Sequence, residues 1–120
     1  MRRLLVALLL GVTALTAGCG TSTSSPGDGD ATGVKVIDVT FNGSSVTPNG
    51  ERVQVAVGEP VELDVHAGAS GEIHVHSDPE QEVRYHAGTT QATIGTFNIP
   101  GQITIESHAL NKVIVILQVS

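Results

Sequence analysis

From about Val34 onward, apolar and polar residues alternate with a period of two, the spacing of a strand that buries one face. Val34–Phe41 is a β-branched run. Asn42-Gly43 and Thr47-Pro48-Asn49-Gly50 after it have the chemistry of turns and loops. Arg52–Val57 alternates cleanly and stops at Gly58-Glu59-Pro60. Val61–His66 alternates again, with Val61, Leu63 and Val65 on the inward parity, and Ala67–Gly71 turns the chain into Glu72–Ser77. Asp78-Pro79-Glu80-Gln81 ends that strand, Glu82–His86 is a short one, and Ala87-Gly88 turns into Thr89–Phe97. After Asn98-Ile99-Pro100-Gly101, Gln102–His108 alternates once more. Val113–Val119 is apolar on both faces, as a central strand is. Strands this short, with a turn about every ten residues and no helical period, predict an all-β fold, a Greek-key β-sandwich of about seven to eight strands.

The opening of the chain breaks this pattern. Met1-Arg2-Arg3 is basic, and Leu4–Leu15 is apolar apart from Gly11 and Thr13. Such a run is too short for a permanent membrane helix and fits the apolar region of an export signal. Thr16-Ala17-Gly18 then leads into Cys19, the only cysteine. This order resembles the lipobox of bacterial lipoproteins, although Thr16 stands where leucine is commoner. The resemblance implies a diacylglyceryl group on Cys19, cleavage before it, and a chain held at the cell membrane on its extracytoplasmic side. A plain secretory signal would leave an unpaired exported thiol without purpose. Gly20–Gly33 is rich in Ser, Thr, Gly and Asp and cannot bury a core. As a flexible coil it reaches roughly 20 Å. The expected organisation is therefore a signal peptide at 1–18, a lipidated cysteine and tether at 19–33, and one domain at 34–120.

Charge narrows the partners. Without Arg2 and Arg3, four basic residues face twelve carboxylates, a net charge of −8. Nucleic acid and anionic lipid both require basic patches, so neither is expected as a partner, whereas cations are compatible. Phe41, Tyr85 and Phe97 are the only aromatic residues, too few for stacking platforms. A single cysteine precludes an intramolecular disulfide, so the domain is held by packing.

Five histidines are present, two of them in Glu72-Ile73-His74-Val75-His76-Ser77. His74 and His76 share a strand face about 6–7 Å apart, a spacing a divalent metal can use. Glu72 shares that face, and Glu106 shares one with His108. The same pattern suits hydrogen-bonded surface histidines that lock strand register without binding anything. His66 has outward parity beside Asp64 and reads as a surface histidine, and His86 reads as a non-ligand.

Val53-x-Val-x-Val-Gly58-Glu59-Pro60-Val61-x-Leu63 and Gly71–Ser77 resemble the middle of bacterial cupredoxin-like domains of exported lipoproteins. Pro100-Gly101-x-Ile-x-Ile-Glu106-Ser107-His108 and the closing Val-Ile-Leu-x-Val are similar to that family's last two strands. The resemblance implies a Greek-key sandwich in which His74 or His76 and His108 converge at one pole, with Glu106 as ligand or neighbour. A blue copper centre also needs a cysteine thiolate and usually an axial methionine. Cys19 and Met1 are the only sulfur residues, and Ser107 lies near the expected cysteine position. The expected ligand set is thus His74, His76, His108 and Glu106, without blue copper electron transfer. Imidazoles with a carboxylate suit Cu(II), favoured by the affinity order, or Zn(II).

No nucleophile elbow, HExxH, CxxC or phosphate-binding glycine loop occurs, and Glu80 and Glu82 read as solvated charge in a turn, so enzymatic activity is not expected. Two functions follow. One is a lipid-anchored module holding a divalent metal ion. The other is a metal-free sandwich that contacts an envelope protein.

Overall fold

The computed structural model describes residues 33–120. The signal segment at 1–18, Cys19 and the tether through residue 32 lie outside the described residues. Nine strands form, with no helix among the described residues: β1 (Lys35–Asn42), β2 (Ser45–Thr47), β3 (Glu51–Val55), β4 (Pro60–Ala67), β5 (Gly71–Val75), β6 (Gln81–Tyr85), β7 (Gly88–Thr96), β8 (Gly101–Ser107) and β9 (Lys112–Val119). Eight of them occupy the predicted runs. The additional strand, β2, is three residues inside the stretch expected to be loop. Gly43 at φ +59° and Ser44 turn β1 back on itself so that Asn42 pairs with Ser45, and Val46 drops into the core.

The strands make two mixed sheets, β2-β1-β4-β7 and β3-β9-β8-β5-β6. β1 runs parallel to β4 and β3 to β9, while the other pairings are antiparallel. The arrangement is that of a β-sandwich. Ile37, Val39, Leu63 and Val65 of one sheet and Ile73, Val75, Ile105 and Leu117 of the other belong to one buried cluster. Each is the inward member of an alternating run, so a period of two in the sequence becomes two apolar faces closed on each other.

β9 lies between β3 and β8, the inner position that its apolar character predicts. Its pairing with β8 shifts register between Ile105 and Glu106, which pair with Val115 and Val113. Ile114 is the extra residue, and it and Val115 are both fully buried. The bulge reverses parity along β9 and so keeps both ends of the strand in register with the core. Beside it, Glu106 stays on the outer face and Ser107 points inward, where it is the one buried polar residue among the described residues.

Candidate functional site

The outer face of the five-stranded sheet carries the chemistry. Because Ile73 and Val75 are buried, Glu72, His74 and His76 project outward from β5. Because Ile105 and Ser107 are buried, Glu106 and His108 project outward from β8 and the turn after it. His74 sits opposite Glu106 on one side and opposite Glu82 on the other. The β5–β8 ladder is short, with two Cα pairs, and is extended by the His76 N–H donating to the Thr104 carbonyl at 2.9 Å.

The resemblance placed these groups at one pole of the sandwich. Strand parity turns them away from the core, so they stand on the outer, solvent-facing side of the sheet, with His76 and His108 just beyond the ends of β5 and β8. Ser107, at the place expected for a thiolate, faces the opposite way. Its hydroxyl accepts the Leu110 N–H at 3.4 Å within the β8–β9 turn. That turn is closed by the Asn111 N–H on the His108 carbonyl at 3.1 Å, with Asn111 at φ +51°. Asparagine tolerates the left-handed region, and the turn fixes where the His108 ring emerges.

All four expected site residues come together, in two sub-clusters rather than one. In the first, Glu106 Oε1 lies 2.7 Å from His76 Nε2 and 2.5 Å from His108 Nε2. One ligand atom from each of these three residues lies within 4.8 Å of the others. In the second, His74 Nε2 lies 3.0 Å from Glu72 Oε1 and 3.8 Å from Glu82 Oε1. The two sub-clusters touch where the His74 and His108 rings stack, centroids 4.0 Å apart and planes 19° from parallel. His76 stands 6.4 Å from His74 and 6.0 Å from His108. His74 is therefore a neighbour of the His76–Glu106–His108 group, directed at different carboxylates.

Glu80 and Glu82, which read from sequence as solvated charge, belong to this face. Glu80 Oε1 lies 3.1 Å from His76 Nδ1 and 3.7 Å from His74 Nδ1, the latter a buried nitrogen without a hydrogen-bond partner. Arg84 reaches Glu72 at 3.4 Å and Glu82 at 3.9 Å. The signal for Glu82 was present in the sequence: a hairpin folded about Asp78-Pro79 sets residue 82 opposite residue 74.

The protonation preferences follow from these partners. The hydrogen bond from Glu72 holds the His74 imidazole above its ordinary value of 6.5, against the desolvation of a ring that is only 16% exposed. Hydrogen bonds from His76 and then His108 hold the Glu106 carboxyl below its ordinary 4.5. Of the other histidines, His66 lies on the other sheet, with Nδ1 3.0 Å from Thr89 Oγ1. His86 turns Nδ1 toward the Ala87 carbonyl at 3.0 Å.

Chemically, the first sub-cluster offers two imidazole nitrogens and a carboxylate oxygen aimed at a common point. An ion about 2.0–2.2 Å from each such atom holds tetrahedral ligand atoms about 3.4 Å apart, so Glu106 Oε1 must draw back from both nitrogens by somewhat under an ångström to admit one. His76 and Glu106 are bridged by a proton in the hydrogen-bonded arrangement, as are His108 and Glu106, and a cation would stand in place of both protons. Glu80 would then accept from His76 Nδ1–H, the outer-shell arrangement that fixes a ligating tautomer. No protein-family model matches the chain, and no curated protein matches it.

Proposed function

We propose that the protein is a lipid-anchored, extracytoplasmic binding module of cupredoxin-like, Greek-key type that holds one divalent transition-metal ion without blue copper electron transfer. The observation that carries the proposal is the convergence of His76 Nε2, His108 Nε2 and Glu106 Oε1 on the outer sheet face. Two imidazoles and one carboxylate form a nitrogen-rich, thiolate-free donor set, which favours Cu(II) and accepts Zn(II). His74 supports the site by stacking on His108. Three side chains leave coordination positions open to solvent or to a partner, in keeping with binding and transfer of an ion.

A specific observation also favours the metal-free reading, in which the domain contacts another envelope protein. His76 and His108 already satisfy Glu106, and the His76–Glu106 bond ties β5 to β8 across a short ladder. In that reading the cluster is a register clamp.

Calorimetric titration of the untagged 33–120 domain with Cu(II) separates the two. This fragment contains every strand and the whole buried core described above. The expected result is binding at micromolar affinity or tighter, weakened by about tenfold or more, ~1.4 kcal/mol, in His76→Ala and in His108→Ala. Absence of micromolar binding, or binding unchanged in both variants, leaves the clamp reading standing.

A further inference from the structure

A second group of ligand-capable side chains lies on the outer face of the other sheet. Burial of Ile37, Val39, Leu63 and Val65 turns Asp38 outward from β1 and Glu62, Asp64 and His66 outward from β4. These strands run parallel with Asp38 opposite Asp64, and on the other side β7 sets Thr89 opposite His66. Two carboxylates facing each other on adjacent strands repel. Nothing basic relieves them, since Arg84, on the other sheet, makes the only lysine or arginine ion pairs among the described residues.

Two further observations point to what belongs between them. Asp64 Oδ1 is buried and has no hydrogen-bond partner, although the side chain as a whole is 21% exposed. His66 Nε2 lies 3.7 Å from that oxygen, too far for an N–H···O hydrogen bond. At the same time His66 Nδ1 is 3.0 Å from Thr89 Oγ1, which can accept from Nδ1–H, and in that tautomer the Nε2 lone pair faces Asp64. A lone pair and a carboxylate oxygen at that separation match two ligands that each sit about 2 Å from one ion. One atom from each of Asp38, Asp64 and His66 lies within 4.8 Å of the other two.

We propose that Asp38, Asp64 and His66 form a second, independent cation site, with Thr89 setting the His66 tautomer. Two carboxylates and one imidazole make an oxygen-rich donor set. It suits Zn(II) or Mn(II), in contrast to the nitrogen-rich cluster on the opposite face. The site does not rest on the binding proposed for His76 and His108.

The test is a Zn(II) titration of the untagged 33–120 domain carrying His74→Ala, His76→Ala and His108→Ala, so that no imidazole of the other face can answer for it. Two-dimensional NMR follows the His66 ring and the Thr89 amide. Saturable shifts at both, at submillimolar zinc, are expected. Adding Asp64→Asn should weaken them about tenfold or more, while the amide spectrum of the metal-free protein shows the fold retained. Should Asp64→Asn fail to fold, Asp38→Asn, an exposed position, gives the same reading. Silence at His66 and Thr89 up to millimolar zinc would overturn the proposal. So would shifts undiminished in the aspartate variants.

Discussion

Glu106 and His74 are the residues whose protonation the cluster shifts, in opposite directions and for the same reason. Each is hydrogen-bonded to a group of opposite charge, which favours its charged form. His74 is raised above 6.5, so the stabilisation it draws from Glu72 is fully present below that pH and is lost as pH rises through the folded-state value. Glu106 is lowered below 4.5, so its contribution is present above that pH and is lost as pH falls through the depressed value. The metal-free 33–120 domain should therefore be most stable between about pH 4.5 and 6.5 and lose thermal stability on either side. Thermal melts in chelator across pH 4 to 8 check this, and Glu72→Gln should flatten the alkaline limb while leaving the acid limb in place. An alkaline limb unchanged in Glu72→Gln would remove His74 as its source. Much of this site was legible before folding. Parity alone put Glu72, His74 and His76 on one face, and Glu106 with His108 on another. The division of labour was not legible, because which carboxylate each imidazole meets depends on cross-strand register. Glu80 and Glu82 reach the histidines only once the hairpin about Asp78-Pro79 is closed.

At the scale of elements, alternation located eight strands and the inward faces of β4 and β5, and two local features were hidden. β2 is too short to show a period, and a single buried residue, Val46, is its entire apolar signal. The bulge at Ile114 breaks the period in β9 where the sequence shows only continuous apolar residues, so the parity of β9 itself required the pairing. A third feature, the start of β5, offers a test of packing. Gly71 pairs with Tyr85, whose phenol end occupies the space beside it, so that a Cβ there would overlap the tyrosine hydroxyl and ring carbons. Tyr85 cannot retreat without leaving its stack on Phe41, where the ring centroids are 4.7 Å apart and the planes 16° from parallel. Gly71→Ala should consequently destabilise the domain by about 1–3 kcal/mol, the usual penalty for overpacking. In a domain of this size each kcal/mol lowers the melting temperature by roughly 4–8 °C. Near-ultraviolet circular dichroism, with Tyr85 the only tyrosine, should report the lost stack. A variant as stable as the parent, with an unchanged tyrosine signal, would show that the ring moves freely.

For the whole molecule, the two outer faces are separable parts, and the core between them explains why. Among the described residues, the buried cluster draws on both sheets and runs from Ile37 to Val119. No disulfide ties the domain to Cys19, since there is no second cysteine. Folding and ion binding should therefore be indifferent to lipidation, whereas localisation should depend on it entirely. The proposed anchor rests on the basic, apolar, small-residue order that ends at Cys19. Two acyl chains, at about 0.8 kcal/mol per buried CH₂, hold stably where one chain binds only reversibly. Expression of the full chain in a bacterial host with a lipoprotein pathway should accordingly give a protein that partitions into detergent and incorporates labelled palmitate. Cys19→Ser should abolish both. The Cu(II) affinity and melting temperature of the 33–120 domain should match those of the lipidated chain, because the ligand atoms and the core beneath them all lie on the nine strands and their turns. Detergent partitioning that survives Cys19→Ser would overturn the anchor. A lipidated chain that binds copper differently from the isolated domain would instead make the tether part of the site.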